Sequence, residues 1–174
     1  KLDGKSCELA SLIEKLNLVG GKNGVGRIDL VENRLIGIKS REIYEAPAAV
    51  ILHYAHKEME RVTLDKDTFH FKEIIAQRYS QLVYNGLWYS PLRQALDGFV
   101  TQTQKFVSGQ VKLKLYKGSC EVVARKSPYS LYDKKLATYT KEDVFNQKAS
   151  EGFMHIWGLP LKTLAKIQKK KEKR

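Results

Sequence analysis

The sequence predicts an α+β fold: a largely antiparallel sheet packed by several long helices, with a C-terminal amphipathic arm. Three patterns carry that expectation. Residues 28–31 and 35–38 are apolar, β-branched runs around Glu32-Asn33-Arg34, bounded by glycines, and read as the strands of a hairpin. Residues 111–116 and 120–125 alternate about Lys117-Gly118-Ser119 and read as a second hairpin. Between the two lie three segments whose apolar residues recur at helical spacing. Such stripes need a common apolar surface, so the hairpins at 27–40 and 111–125 are expected to join in one sheet beneath the helices.

In chain order, Ser6 is placed to cap a helix bearing Leu9, Leu12, Ile13 and Leu16, which Gly20-Gly21 would end. The glycine-rich residues 20–26 lack the spacing of a Walker loop or a dinucleotide fingerprint and read as a helix-to-strand connection. Pro47 suits the first turn of a helix carrying Val50, Ile51, Tyr54, Ala55 and Met59. Asp65 or Asp67 opens a second, with Phe71, Ile74, Ile75, Tyr79, Leu82 and Val83, stopped by Asn85-Gly86. Ser90-Pro91 supplies cap and first-turn residue for a third, closed by Gly109. Tyr84, Trp88 and Tyr89 at the joint read as a core wedge between helices. Residues 127–139 read as an ordered loop, 141–152 as irregular, 153–157 as a short strand, and 161–167 as the start of a terminal helix. The expected organisation is a body of residues 1–157 and a basic helical arm of residues 158–174.

The formal net charge of +12 raises nucleic-acid binding as a function. Half of it is local: residues 162–174 hold seven Lys/Arg against one Glu. No basic-aromatic cluster marks the body, so the charge reads as a solvated face or end rather than a nucleic-acid surface. No apolar run approaches the roughly 20 residues that span a bilayer. Cys7 and Cys120 lack metal spacing and read as reduced thiols, which fits a cytoplasmic setting. His53 and His56 stand three apart without a third ligand nearby, and no metal site is expected.

The first hairpin is unusually charged: Arg27, Asp29, Glu32, Arg34, Lys39, Arg41, Glu42 and Glu45 surround it. Each such charge must be paired or solvated. The stretch therefore reads either as a salt-bridged surface hairpin or as the wall of a polar-substrate cleft.

Residues 24–47, of the form GxGRIDxVENRxxGxKSRxxYExP, resemble the signature of the C-terminal synthetase domain of the argininosuccinate synthase family. The resemblance continues at Leu82-Val-Tyr-Asn-Gly-Leu-Trp-Tyr-Ser-Pro91, at Lys112-Leu-Lys-Leu-Tyr-Lys-Gly118 and at Ser127-Pro-Tyr-Ser-Leu-Tyr-Asp133. The Ser-Gly-Gly-x-Asp-Ser/Thr loop with which that family holds the ATP phosphates is not in these residues, so the resemblance is to the C-terminal part alone. It implies a ligase of arginine biosynthesis and the urea cycle that joins citrulline and aspartate, using ATP with Mg²⁺ and releasing AMP and pyrophosphate. It further implies a homotetramer assembled partly through C-terminal arms, and a fragment inactive by itself. By the same resemblance Glu32 and Tyr44 bind citrulline, and no residue here presents as a general base.

Two positions depart from the family pattern. Glu42 stands where glycine is common after Ser-Arg, and Ala48-Ala49 where a pair containing glycine is common. A glycine kept for a positive φ at the first would make Glu42 a source of strain beside Tyr44. The competing expectations are a stand-alone oligomerisation or binding module without catalysis, and a basic nucleic-acid binder.

Overall fold

The computed structural model of the chain describes residues 1–136, 144 and 146–172. Among them run α1 (Leu9–Lys22), β1 (Arg27–Asn33), β2 (Lys39–Glu45), α2 (Pro47–Thr63), α3 (Lys66–Tyr84), α4 (Pro91–Thr103), β3 (Gln110–Tyr116), β4 (Ser119–Lys126), α5 (Ala149–Trp157) and α6 (Leu159–Glu172). Single 3-10 turns lie at Gln104–Phe106 and Lys134–Leu136. The chain forms two compact units, Lys1–Tyr132 and Asp133–Arg174.

The α+β class is the expected one, but the single sheet is not. β1 pairs with β2 and β3 with β4 in two separate antiparallel ribbons. The faces of the two ribbons explain the separation. β3–β4 turns Leu113, Leu115 and Cys120 onto a core of Leu16, Val25, Ala48 and Ile51. β1–β2 supplies no residue to that core, because charged side chains occupy both of its faces. A ribbon without a continuous apolar face gains little by extending another sheet.

Helix starts follow the sequence closely where a side chain can cap. Asp65 Oδ1 accepts from the amides of Asp67 at 3.1 Å and Thr68 at 3.0 Å, opening α3. Hydrogen bonds from Thr68, foremost, and Asp67 hold the Asp65 carboxyl below its ordinary range. Ser90 Oγ accepts from the Arg93 amide at 3.3 Å, and Pro91 fills the first turn of α4. Elsewhere the caps differ. α1 begins after Glu8 without a side-chain cap, so Ser6 does not serve, and the helix runs through Gly20-Gly21 to Lys22. At α2 the missing cap comes from α1, where Asn17 Oδ1 accepts the Ala48 amide at 2.9 Å.

Three further expectations are corrected. The second strand of the first hairpin is Lys39–Glu45, and residues 34–38 form the turn, closed by Arg34 N–H to Ile38 O at 2.8 Å. Glycine at 37 with φ +87° lets the chain reverse there, which leaves Leu35, Ile36 and Ile38 exposed. Residues 153–157 are helix rather than strand: α5 stacks Phe153 on Trp157 one turn apart, ring centroids 5.5 Å. A short continuous apolar run carries no period by which to separate the two states. Tyr84, Trp88 and Tyr89 are not core; Tyr89 is 86% exposed. Trp88 instead lies under the Arg93 guanidinium, 4.5 Å from ring centroid to Cζ.

Other expectations hold or lie partly outside the described residues. The second hairpin turns at Lys117-Gly118, both at positive φ, as a tight two-residue loop requires. Residues 127–132 are held by long-range bonds, Ser127 Oγ to Ser108 O at 2.6 Å and Leu131 N–H to Val62 O at 2.8 Å. The expected loop at 137–139, and the irregular stretch at 141–143 and 145, fall outside the described residues. Residues 149–152 of that stretch belong to α5, and the terminal helix begins at Leu159.

Candidate functional site on the first hairpin

The β1–β2 register sorts the hairpin's side chains into two faces. Opposite pairs are Ile28 with Tyr44, Leu30 with Glu42 and Glu32 with Ser40, so these six share one face. The other face carries a bidentate pair, Arg41 Nε to Asp29 Oδ1 at 2.9 Å and Nη2 to Oδ2 at 2.6 Å. That pair holds the Asp29 carboxyl below the usual range, yet both groups are well exposed, and pairs of this kind contribute little to stability.

The first face gathers one connected polar cluster. Tyr44 Oη donates to Glu32 Oε2 at 3.0 Å. Arg34, from the turn, lies with Nη1 3.2 Å from Glu32 Oε1. Its Nη2 donates to Glu42 Oε1 and to Ser40 Oγ, the latter at 3.3 Å, while Ser40 Oγ also donates to Glu42. One oxygen is left over. Glu32 Oε1 is shut off from solvent and receives no hydrogen bond, because Arg34 Nη1 approaches it off-axis. A carboxylate oxygen held dry without a donor is costly in isolation and well disposed to take one.

The electrostatics keep Tyr44 and Arg34 each in one state. The Glu32 carboxylate, by accepting the bond, and then loss of solvent push the Tyr44 hydroxyl above its ordinary range. Tyr44 therefore stays a donor. The Tyr84 side chain, and after it Glu42 and Glu32, favour the charged form of Arg34. With one guanidinium between two carboxylates, the cluster accommodates one more positive charge.

The structure thus brings together both residues singled out in sequence, Glu32 and Tyr44. It adds Arg34, Ser40 and Glu42; sequence reasoning had Arg34 and Glu42 only as hairpin charges and missed Ser40. Counting back in twos from Tyr44 reaches Glu42 and Ser40, the period-two signal that would have found them. Arg34 sits in the turn, where no period applies. Glu42 takes ordinary strand backbone opposite Leu30, since the described non-glycine residues at positive φ are Asp3 and Lys117. The strain expected beside Tyr44 is therefore absent.

The glycine-rich loop after α1 is no phosphate cradle. The amides of Asn23, Gly24 and Val25 donate to carbonyls of Val19, Gly20 and Gly21, so these three do not point at an anion. A cleft of about 440 Å³ between this loop and the β3–β4 turn contains neither Glu32 nor Tyr44.

The family model of the arginosuccinate synthase C-terminal domain matches residues 1–164. The chain belongs to that family. Argininosuccinate synthase of Chlorobium phaeobacteroides (strain BS1) is 58% identical over 167 residues, covering 96% of this chain. The argininosuccinate synthases of Pelodictyon phaeoclathratiforme and Endomicrobium trichonymphae are 58% and 52% identical over 95% and 97% of the chain. The chain spans 42%, 42% and 41% of the length of these three relatives. Among the described residues, no helix is long and apolar enough to cross a membrane.

Proposed function

We propose that this chain supplies the citrulline-binding wall and an assembly arm of an argininosuccinate-forming ligase. The observation that carries the reading is the Glu32–Tyr44 pair with its undonated, solvent-free Oε1. An α-ammonium is the complement of such an oxygen: it brings a charge and a directed N–H together. Tyr44, fixed as a donor to Oε2, sets the plane of the carboxylate that receives it. Aspartate would meet citrulline in the same complex. ATP with Mg²⁺ is assigned to the part of the relatives' length beyond this chain, in line with the Asn23, Gly24 and Val25 amides being taken by main-chain carbonyls.

In this reading the ureido oxygen of citrulline attacks the α-phosphorus of ATP, and pyrophosphate leaves with the bond's electron pair. The amine of aspartate then adds to the activated carbon, loses a proton, and expels AMP. Glu32 and Tyr44 hold the end of citrulline remote from the reacting atoms, so their contribution is orientation rather than proton transfer. We place the reaction in the cytoplasm, where thiols such as the unpaired Cys7 and Cys120 stay reduced. In the full-length enzyme carrying this domain, Glu32→Gln should weaken citrulline binding about ten- to a hundredfold, the loss of one charge-assisted bond. Calorimetric titration with citrulline reads this directly; an unchanged affinity removes Glu32 from the site.

The arm reading rests on the Asp133–Arg174 unit taken by itself. Phe153, Ile156 and Trp157 of α5 and Leu161, Leu164 and Ile167 of α6 are exposed there. A helix pair that leaves its apolar residues in water is marginal until something covers them. A neighbouring subunit is the proposed cover, within a tetramer, and the lysine face of α6 then stays in solvent. Deleting residues 158–174 should lower the oligomeric mass seen by light scattering while the circular dichroism of the body persists. Retention of the full mass would show the arm to be a solvated end.

A further inference from the structure

We propose that Glu42 is a positioning residue for the amino-acid site: it draws Arg34 aside, and so keeps Glu32 available to a substrate ammonium. The inference rests on the reading of Glu32 given above and deepens it.

The geometry is an unequal division of one guanidinium. Nη2 of Arg34 is bound twice, to Glu42 Oε1 and Ser40 Oγ, and Ser40 closes the triangle by donating to Glu42 as well. Nη1 forms an ion pair with Glu32 Oε1 at 3.2 Å but donates no hydrogen bond to it. Arginine beside a lone carboxylate prefers the two-pronged arrangement, in which both oxygens are taken. Here that arrangement is prevented, because the competing carboxylate lies on the same face in strand register. Leu30 is the residue opposite Glu42 across the ribbon, and the Glu42 carboxylate meets Arg34 of the turn.

The charge count points the same way. Glu32, Glu42 and Arg34 sum to one negative charge, which an α-ammonium neutralises. Remove the charge of Glu42 and the cluster is already neutral, with Arg34 free to close on Glu32 and occupy the oxygen the substrate needs. Remove Arg34 as well and a single negative carboxylate is restored. A residue that merely supports the hairpin would show the opposite: two polar deletions on one face would add their damage.

The test uses the full-length enzyme carrying this domain, with citrulline as the titrant and folding of each variant checked by circular dichroism. Glu42→Gln should raise the citrulline dissociation constant about tenfold, a change of roughly 1.4 kcal/mol. KM for citrulline should rise in parallel, while kcat at saturating substrates should stay within about twofold, the mark of a lost binding interaction not specific to the transition state. Glu42→Asp, which keeps the charge, should retain most of the affinity. Arg34→Ala combined with Glu42→Gln should recover affinity relative to Glu42→Gln alone. If Glu32→Gln weakens binding but Glu42→Gln does not, the role of Glu42 is refuted while the site reading stands. A double variant worse than Glu42→Gln also refutes it, in favour of a supporting role. If Glu32→Gln binds citrulline normally, the site reading falls and the role of Glu42 falls with it.

Discussion

Replacing Lys72 by Met should lower the unfolding free energy of the chain by about 3–5 kcal/mol, the cost of stranding a buried charge. The stranded group is Glu60, which is 2% exposed on the inner side of α2. Its Oε1 takes Lys72 Nζ of α3 at 2.6 Å and Gln104 Nε2 at 2.8 Å, with His56 Nδ1 further off at 3.7 Å. Lys72 is the partner that matters, since its own side chain is only 17% exposed and the pair is poorly screened. Methionine keeps the apolar stem, so the measured loss reports the charge rather than a cavity. Domains are stable by only about 5–15 kcal/mol, and a change of this size is a large share of that. Adding Glu60→Leu to Lys72→Met should recover most of the loss, because a buried pair exchanged whole for apolar groups is often close to neutral. Urea unfolding followed by circular dichroism measures both. A Lys72→Met chain within about 1 kcal/mol of wild type would show that Glu60 is solvated despite its burial.

The same buried carboxylates show what sequence could and could not disclose. Glu58 and Glu60 flank Met59 on α2, and the apolar stripe alone assigns them to a polar face. Both are buried, Glu58 at 1% and Glu60 at 2%, because cations converge on them from elsewhere: Arg61 and Arg125 on Glu58, Lys72 on Glu60. That convergence is tertiary and leaves no local signature. Caps and tight turns are local, which is why Asp65, Ser90 and Lys117-Gly118 were legible. The second strand of the first hairpin was not. Residues 35–38 are more apolar than residues 39–45, yet strand pairing goes to the latter, where Tyr44, Glu42 and Ser40 face Ile28, Leu30 and Glu32. Glu32 and Tyr44 were reached through the family signature; that they share a face, and share Arg34, depends on the five-residue turn that sets the register.

Gly26→Ala should cost more than about 4 kcal/mol, placing it among the rare severe single substitutions. Two independent penalties combine at this buried position. Its φ of +96° lies in the left-handed half of conformational space, where a Cβ costs roughly 1–2 kcal/mol. That Cβ would also overlap Pro47 Cα, sit 2.6 Å from Pro47 N and 3.0 Å from Ala46 C. These are main-chain atoms at the first turn of α2, and no rotamer change relieves them. The approach is close because Gly26 O accepts the Ala46 amide at 2.9 Å, which ties the open end of the β1–β2 ribbon to the start of the helix. Tyr44 lies two residues before that tie, so loosening it should also spread the Glu32–Tyr44 pair. Gly21→Ala is the control: it is helical, with open space around the added carbon, and should stabilise by about 0.5–1 kcal/mol. Urea unfolding of the two variants should therefore move in opposite directions. A Gly26→Ala chain as stable as wild type would mean that the ribbon is not anchored to α2 through this glycine.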